Sequence, residues 1–167
     1  MKLDQQIYFN RSGTPPKDGR SFDQRTLQAV NRTAYDVSSY RQFIIALDQA
    51  GPGETVTVSG AVTVPKTILI NKQVKIQCIG QGAFIPGADS LTMFRVNDVA
   101  NVYFLDVRVR ANGNIITQRF IEHVQTVVEG ESLKNLTVRR CYAEAQTFIV
   151  TKINGSVPKS MEYASGN

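Results

Sequence analysis

The sequence reads as mainly β: a short parallel β-helix, with one turn of chain per repeat, an N-terminal capping α-helix and an extended N-terminal arm. Three observations lead there. Gln73–Ile79, Asn101–Val107 and Asn135–Cys141 align, each opening on a side-chain amide followed by apolar, polar and apolar residues. The second copy starts 28 residues after the first and the third 34 after the second, and self-similarity at such periods marks a solenoid. The copies alternate with period two and are rich in Val, Ile, Phe and Thr, which suit strands rather than helices.

Each element follows in order. Residues 1–36 read as an arm. Pro15-Pro16 and Asp18-Gly19 signal extended chain and turn. Arg11, Lys17, Arg20, Arg25 and Arg32 make it basic, and Ile7-Tyr8-Phe9 is an apolar patch without a local partner. Residues 23–31 have helical potential for one or two turns, with Leu27 and Val30 on one face. Too little apolar surface lies here to fold alone. Two readings stay open: a floppy tail, or an attachment arm ordered by a partner through Ile7, Tyr8, Phe9, Arg11, Arg20 and Arg25.

A helix over about 39–50 comes next. Ser38 or Ser39 suits the N-cap, Tyr40, Phe43, Ile44 and Leu47 form an apolar stripe, and Gly51-Pro52-Gly53 stops it. Strands follow, so the stripe is expected to cover the open N-terminal end of the stack, which needs a cap. Thr55–Val58, Ala61–Val64, Thr67–Ile70 and the first copy come quickly, then Ala83–Ile85 and Leu91–Val96. The second copy runs on to Arg110; 115–123 and 125–128 are weaker strand candidates. Residues 146–153 form the last strong strand, the stack is placed at 37–155, and 156–167 read as an irregular tail.

The run from Ser38 to Gly87 (capping helix, Gly-Pro-Gly, Glu-Thr-Val-Thr-Val, Ile-Leu-Ile-Asn, Val-Lys-Ile-Gln-Cys-Ile-Gly-Gln-Gly) resembles the opening of the pectate-lyase-like right-handed parallel β-helix family. Within it, the chain is most similar to the N-terminal portion of phage tailspikes and tail fibres. The resemblance implies a structural virion protein made in the host cytoplasm. Its arm would bind phage tail or baseplate proteins, and its coils would begin a homotrimeric stalk for host attachment. Tyr103, Leu105 and Tyr142 are outward by alternation and are candidates for apolar contact surface. The family's Asp-Phe-Gly-Ala motif is absent, with Tyr35-Asp36-Val37 at most a remnant.

Composition narrows the function classes. At 42% hydrophobic and 20% charged residues, the chain can bury a core. Net charge is +5, but Lys and Arg are scattered with no run of four, so no nucleic-acid partner is expected. No apolar run approaches the roughly 20 residues of a membrane span, and the first fifteen residues hold no apolar core of a secretory signal. Cys78 and Cys141 fall in different copies, too far apart along the stack for a bridge.

The chain is not expected to be an enzyme. His123 is its one histidine and lacks a nucleophile elbow nearby, and with two distant cysteines it makes no zinc site. No cofactor or metal is expected. The rival is a polysaccharide lyase, glycoside hydrolase or carbohydrate-binding β-helix, with host surface polysaccharide as ligand. Hydrolysis needs two carboxylates across a groove. Among Asp98, Asp106, Glu122, Glu129, Glu131 and Glu144, no pair is singled out, and Glu129 and Glu144 are weak catalytic candidates. Position six of the aligned copies holds Cys78, Asp106 and Arg140 at a bend, which predicts an Asp106–Arg140 ion pair stacked between consecutive turns.

Overall fold

A computed structural model gives the structure of the chain and describes residues 34–156 and 162–164. Those beyond Ala34 belong to one compact unit. Ile7, Tyr8, Phe9, Arg11, Arg20 and Arg25 lie outside the described residues, as does the 23–31 helical segment.

The elements are β1 (Ala34–Val37), α1 (Tyr40–Gln49), β2 (Thr55–Val58), β3 (Ala61–Val64), β4 (Ile68–Ile70), β5 (Lys75–Cys78), β6 (Ala83–Pro86) and β7 (Thr92–Asn97). There follow β8 (Val102–Leu105), β9 (Arg108–Val109), β10 (Thr117–Gln125), β11 (Leu136–Arg139), β12 (Tyr142–Ala143), β13 (Ala145–Ile153) and β14 (Glu162–Ala164). Among the described residues α1 is too short to cross a membrane.

Three sheets result. The first has the order β11-β8-β5-β2-β1, the second β12-β9-β6-β3, and the third β14-β13-β10-β7-β4. From β2 to β13 the chain visits first, second and third sheet in the same order four times, and every pairing among these strands is parallel. The fold is therefore mainly β with one short helix, in an arrangement consistent with a β-helix.

The register agrees with the sequence alignment. Lys75, Ile76 and Gln77 pair with Tyr103, Phe104 and Leu105, and Val102 to Leu105 pair with Leu136 to Arg139. Alternation then stacks like on like. One inward row of the first sheet is Val56, Ile76, Phe104 and Val138; of the second, Val62, Phe84, Val109 and Ala143; of the third, Ile68, Phe94, Ile121 and Ile149. Aromatic rings run through this core. Phe43 meets Phe84 edge-on at 5.1 Å between centroids, Phe84 meets Phe94 at 4.9 Å, and Phe94 meets Phe104 at 5.0 Å. Phe120 lies 6.0 Å from Phe94 and 5.1 Å from Phe148. All but the tilted Phe120–Phe148 pair are edge-to-face, a geometry that adds to the area they bury.

The helix forms as its sequence requires. The Ser39 hydroxyl accepts a hydrogen bond from the Gln42 N–H at 3.2 Å, and Phe43, Ala46 and Leu47 are buried. Its last carbonyls point outward unpaired by geometry. Lys72 supplies the donor: its ammonium bonds the carbonyls of Leu47, Asp48 and Ala50 at 3.0, 2.8 and 2.9 Å. A cation there also opposes the negative end of the helix dipole.

Some boundaries differ from expectation. In the first copy Cys78 is buried, continuing the alternation from Ile76, and Ile79 is exposed just before the Gly80-Gln81-Gly82 turn. Gly82 is required there: a Cβ would sit 1.9 Å from the Val58 carbonyl oxygen. The 115–123 and 125–128 candidates give one strand, β10, and 126–128 lie beyond it. The tail is not wholly irregular: β14 pairs antiparallel with β13, whose outer edge offers unpaired backbone groups. Residues 34–36, expected in the arm, belong with Val37 to an edge strand of the first sheet, and the Ser59 and Gly60 N–H groups bond the Val37 carbonyl.

Candidate functional site

The inward rows are filled mainly by apolar side chains, so candidate chemistry lies on the outward rows and at the ends. On the first sheet, one outward row is Lys75, Tyr103 and Thr137, and the next is Gln77, Leu105 and Arg139. Tyr103 and Leu105 are half-buried, and Tyr142 on the second sheet is exposed. The Lys75 ammonium lies 5.4 Å from the Tyr103 ring centroid, so part of this apolar row is already shielded by a cation.

At the bend after this sheet the expected ion pair is present. Arg140 Nε and Nη2 donate to Asp106 Oδ1 and Oδ2 at 2.6 and 3.2 Å, and Gln77 Nε2 donates to Oδ2 at 3.0 Å. The ends of three neighbouring strands of the first sheet, β5, β8 and β11, are thus joined. Asp106 and Arg140 take φ of 54° and 53°, the left-handed conformation that a tight bend imposes. The Arg140 guanidinium, and then the Gln77 amide, hold the Asp106 carboxyl down at about 2.

The third sheet carries a second charged group that the alignment did not single out. Glu122, on β10, is only 1% exposed. Its Oε1 accepts from Arg95 Nε on β7, while Oε2 accepts from Arg119 Nη1 at 3.3 Å and lies 2.6 Å from Lys152 Nζ on β13. Burial pushes the Glu122 carboxyl up, but the bonds from Lys152 and Arg95 outweigh it and leave it lowered. One carboxylate thus sits under three cations whose side chains reach solvent, a surface able to meet anionic groups. The signal was present in the Arg95↔Glu122 pairing, but recognising it requires aligning β7, β10 and β13.

Glu129 and Glu144 are not brought together as a pair by any described contact. Glu129 is exposed in the connection after β10. Glu144, between β12 and β13, is half-buried and its Oε1 accepts the Ala111 N–H at 2.5 Å, which ties down the connection after β9. Among the described residues no three His, Cys, Asp or Glu side chains gather as metal ligands. Cys78 and Cys141 are both free thiols, and burial pushes Cys78 up to about 11, away from a reactive thiolate.

Two depressions flank the stack. One of ≈ 450 Å³ runs between α1 and the 66–72 segment, with Tyr40, Ile44 and Leu69 among its walls. The other, ≈ 380 Å³, lies over the last turn and is lined by His123, Leu136, Val138, Ile149 and Thr151. His123 stands in the inward row Ile70–Val96–His123–Thr151, 5% exposed, and its Nε2 has no hydrogen-bond partner among the described residues. Burial lowers its pKa, so the ring is neutral at pH 7.

No family model, no curated protein and no solved structure matches this chain.

Proposed function

We propose that residues 37–155 form a right-handed parallel β-helix and that the chain is a structural virion protein of the phage tailspike or tail-fibre type. Its arm, residues 1–36, attaches to phage tail or baseplate proteins, and the stack begins a homotrimeric stalk used in host attachment. The observation that supports this best is the threefold cycle of sheets, traversed four times in parallel beneath a helix-covered end. Parallel crossovers within a sheet are right-handed almost without exception, which supplies the handedness. An arm followed by a cap and then coils is the order that the sequence resemblance implies for such proteins. Tyr103, Leu105 and Tyr142 on the outward rows supply apolar surface for side-by-side packing of three stacks.

The test is deletion of residues 1–33, which spares β1, in a phage that carries the protein. Particles should then lack it while the truncated chain stays folded. Normal incorporation would refute the attachment role.

One observation favours a second reading, a carbohydrate-binding or carbohydrate-cleaving β-helix: the three solvent-reaching cations around Glu122 suit an acidic polysaccharide. Incubation with acidic and neutral polysaccharides separates the two. Turnover lost in Glu129→Gln or Glu144→Gln would favour the enzyme, and no turnover favours the structural role.

A further inference from the structure

Among the described residues, the C-terminal end of the stack leaves one strand edge unpaired beside a partly filled apolar row. Asn135 and Arg139 bond their carbonyls to the Asn101 and Asp106 N–H groups at 3.2 and 2.9 Å, so they face β8. In a strand, alternate residues turn their backbone groups to opposite sides. Leu136 and Val138 therefore turn N–H and C=O to the free side of β11, the terminal strand of the first sheet among the described residues. Their side chains, with His123, line the ≈ 380 Å³ depression.

We propose that this end accepts an extended peptide segment of another chain, which pairs with the free edge of β11 and seats an aromatic side chain in the depression beside His123. Two features select this occupant. The neighbouring edge of the same end already takes an added strand: β14 pairs with β13 through Thr147↔Ala164 and Val150↔Glu162. The second feature is the stepped shape of the end, an argument that rests on the β-helix reading. Each turn climbs one strand spacing, about 4.8 Å. β11 is then the lowest step and β13, with β14 on it, the highest. A single flexible strand reaches the low step, whereas the rigid end of a second copy would meet β14 first. The row Val56–Ile76–Phe104–Val138 shows what the site selects, since Phe104 already packs at this position on the lower side of Val138. The unpartnered His123 Nε2 adds a preference for a ring that carries a hydroxyl.

The probe is a fluorescent peptide with the sequence of residues 101–108, titrated into the full chain and followed by anisotropy. It should bind saturably. Val138→Pro removes an N–H from the free side only, so far-UV circular dichroism should stay unchanged while binding weakens at least about tenfold. That spectrum keeps a failure of this site distinct from a failure of the β-helix reading. A peptide with Tyr in place of its Phe should bind about three- to tenfold more tightly, the worth of one hydrogen bond, and lose that advantage on His123→Ala. Absence of saturable binding, or binding indifferent to Val138→Pro, overturns the proposal. Equal affinity for the two peptides overturns the role of His123. Light scattering that shows self-association abolished by Val138→Pro would make a second copy the occupant, and overturn it too.

Discussion

The two ends of the stack treat the same problem differently. At the N-terminal end the inward rows close under α1, with Phe43 fully buried against Phe84 and Lys72 holding the helix C-terminus. At the C-terminal end the rows turn polar at His123 and Thr151, and Leu136, Val138, Phe148 and Ile149 are only half-buried. A repeat unit buries its apolar face only when a neighbour lies on both sides. The contrast teaches that the helix covers the apolar rows at one end, while among the described residues a single short strand, β14, extends the third sheet at the other.

The same substitution at the two ends tests this most directly. Phe43→Ala should cost about 3–5 kcal/mol in urea unfolding, as expected for a fully buried ring. Phe148→Ala should cost about 1–2 kcal/mol, because half of its transfer free energy was never gained. Equal losses would erase the distinction between the ends. Lys72→Met isolates the clasp from the packing and should cost about 1 kcal/mol. Its signature is faster hydrogen exchange confined to the helix C-terminus.

Acidification sharpens the contrast from the other side. His123 binds its proton more weakly folded than unfolded, because burial disfavours the charged ring. The unfolded chain therefore takes up the proton first, and stability should fall as pH drops below the ordinary 6.5. Amides of β10 and β13 should lose protection before those of α1, and His123→Gln should flatten this limb. The smallest effect concerns Asp106. Its carboxyl, held at about 2 against an ordinary 3.8, adds stability above 3.8 that is lost as pH falls through about 2. Asp106→Asn should shrink the acid limb only there, and slightly, since the pair is open to water.

Much of this was legible in the residues. The amide-led copies gave the register of β5, β8 and β11 to the residue, and with it the Asp106–Arg140 pair, because period-two alternation and a shared bend leave one register that turns Val102, Phe104 and Leu136 to the core. The helix was legible from Ser39 and its stripe. The third sheet was not legible in register, because β4, β7, β10 and β13 run from three to nine residues and their outward rows change from Leu69 to Arg95 to Glu122 to Val150. No common chemistry marks that row, so Glu122 and its cations stayed scattered in the sequence. β12 and β14 are too short for alternation to speak, and Lys72 reaches α1 from 22 to 25 residues away.

Glu122 has one more consequence. Its two oxygens are held by cations from the strands on either side and by one from its own strand. Sliding either neighbour by a single position would send Arg95 or Lys152 to the opposite face and strand a dehydrated carboxylate. This one anion makes a shifted alignment costly, and so selects the observed register of β7, β10 and β13.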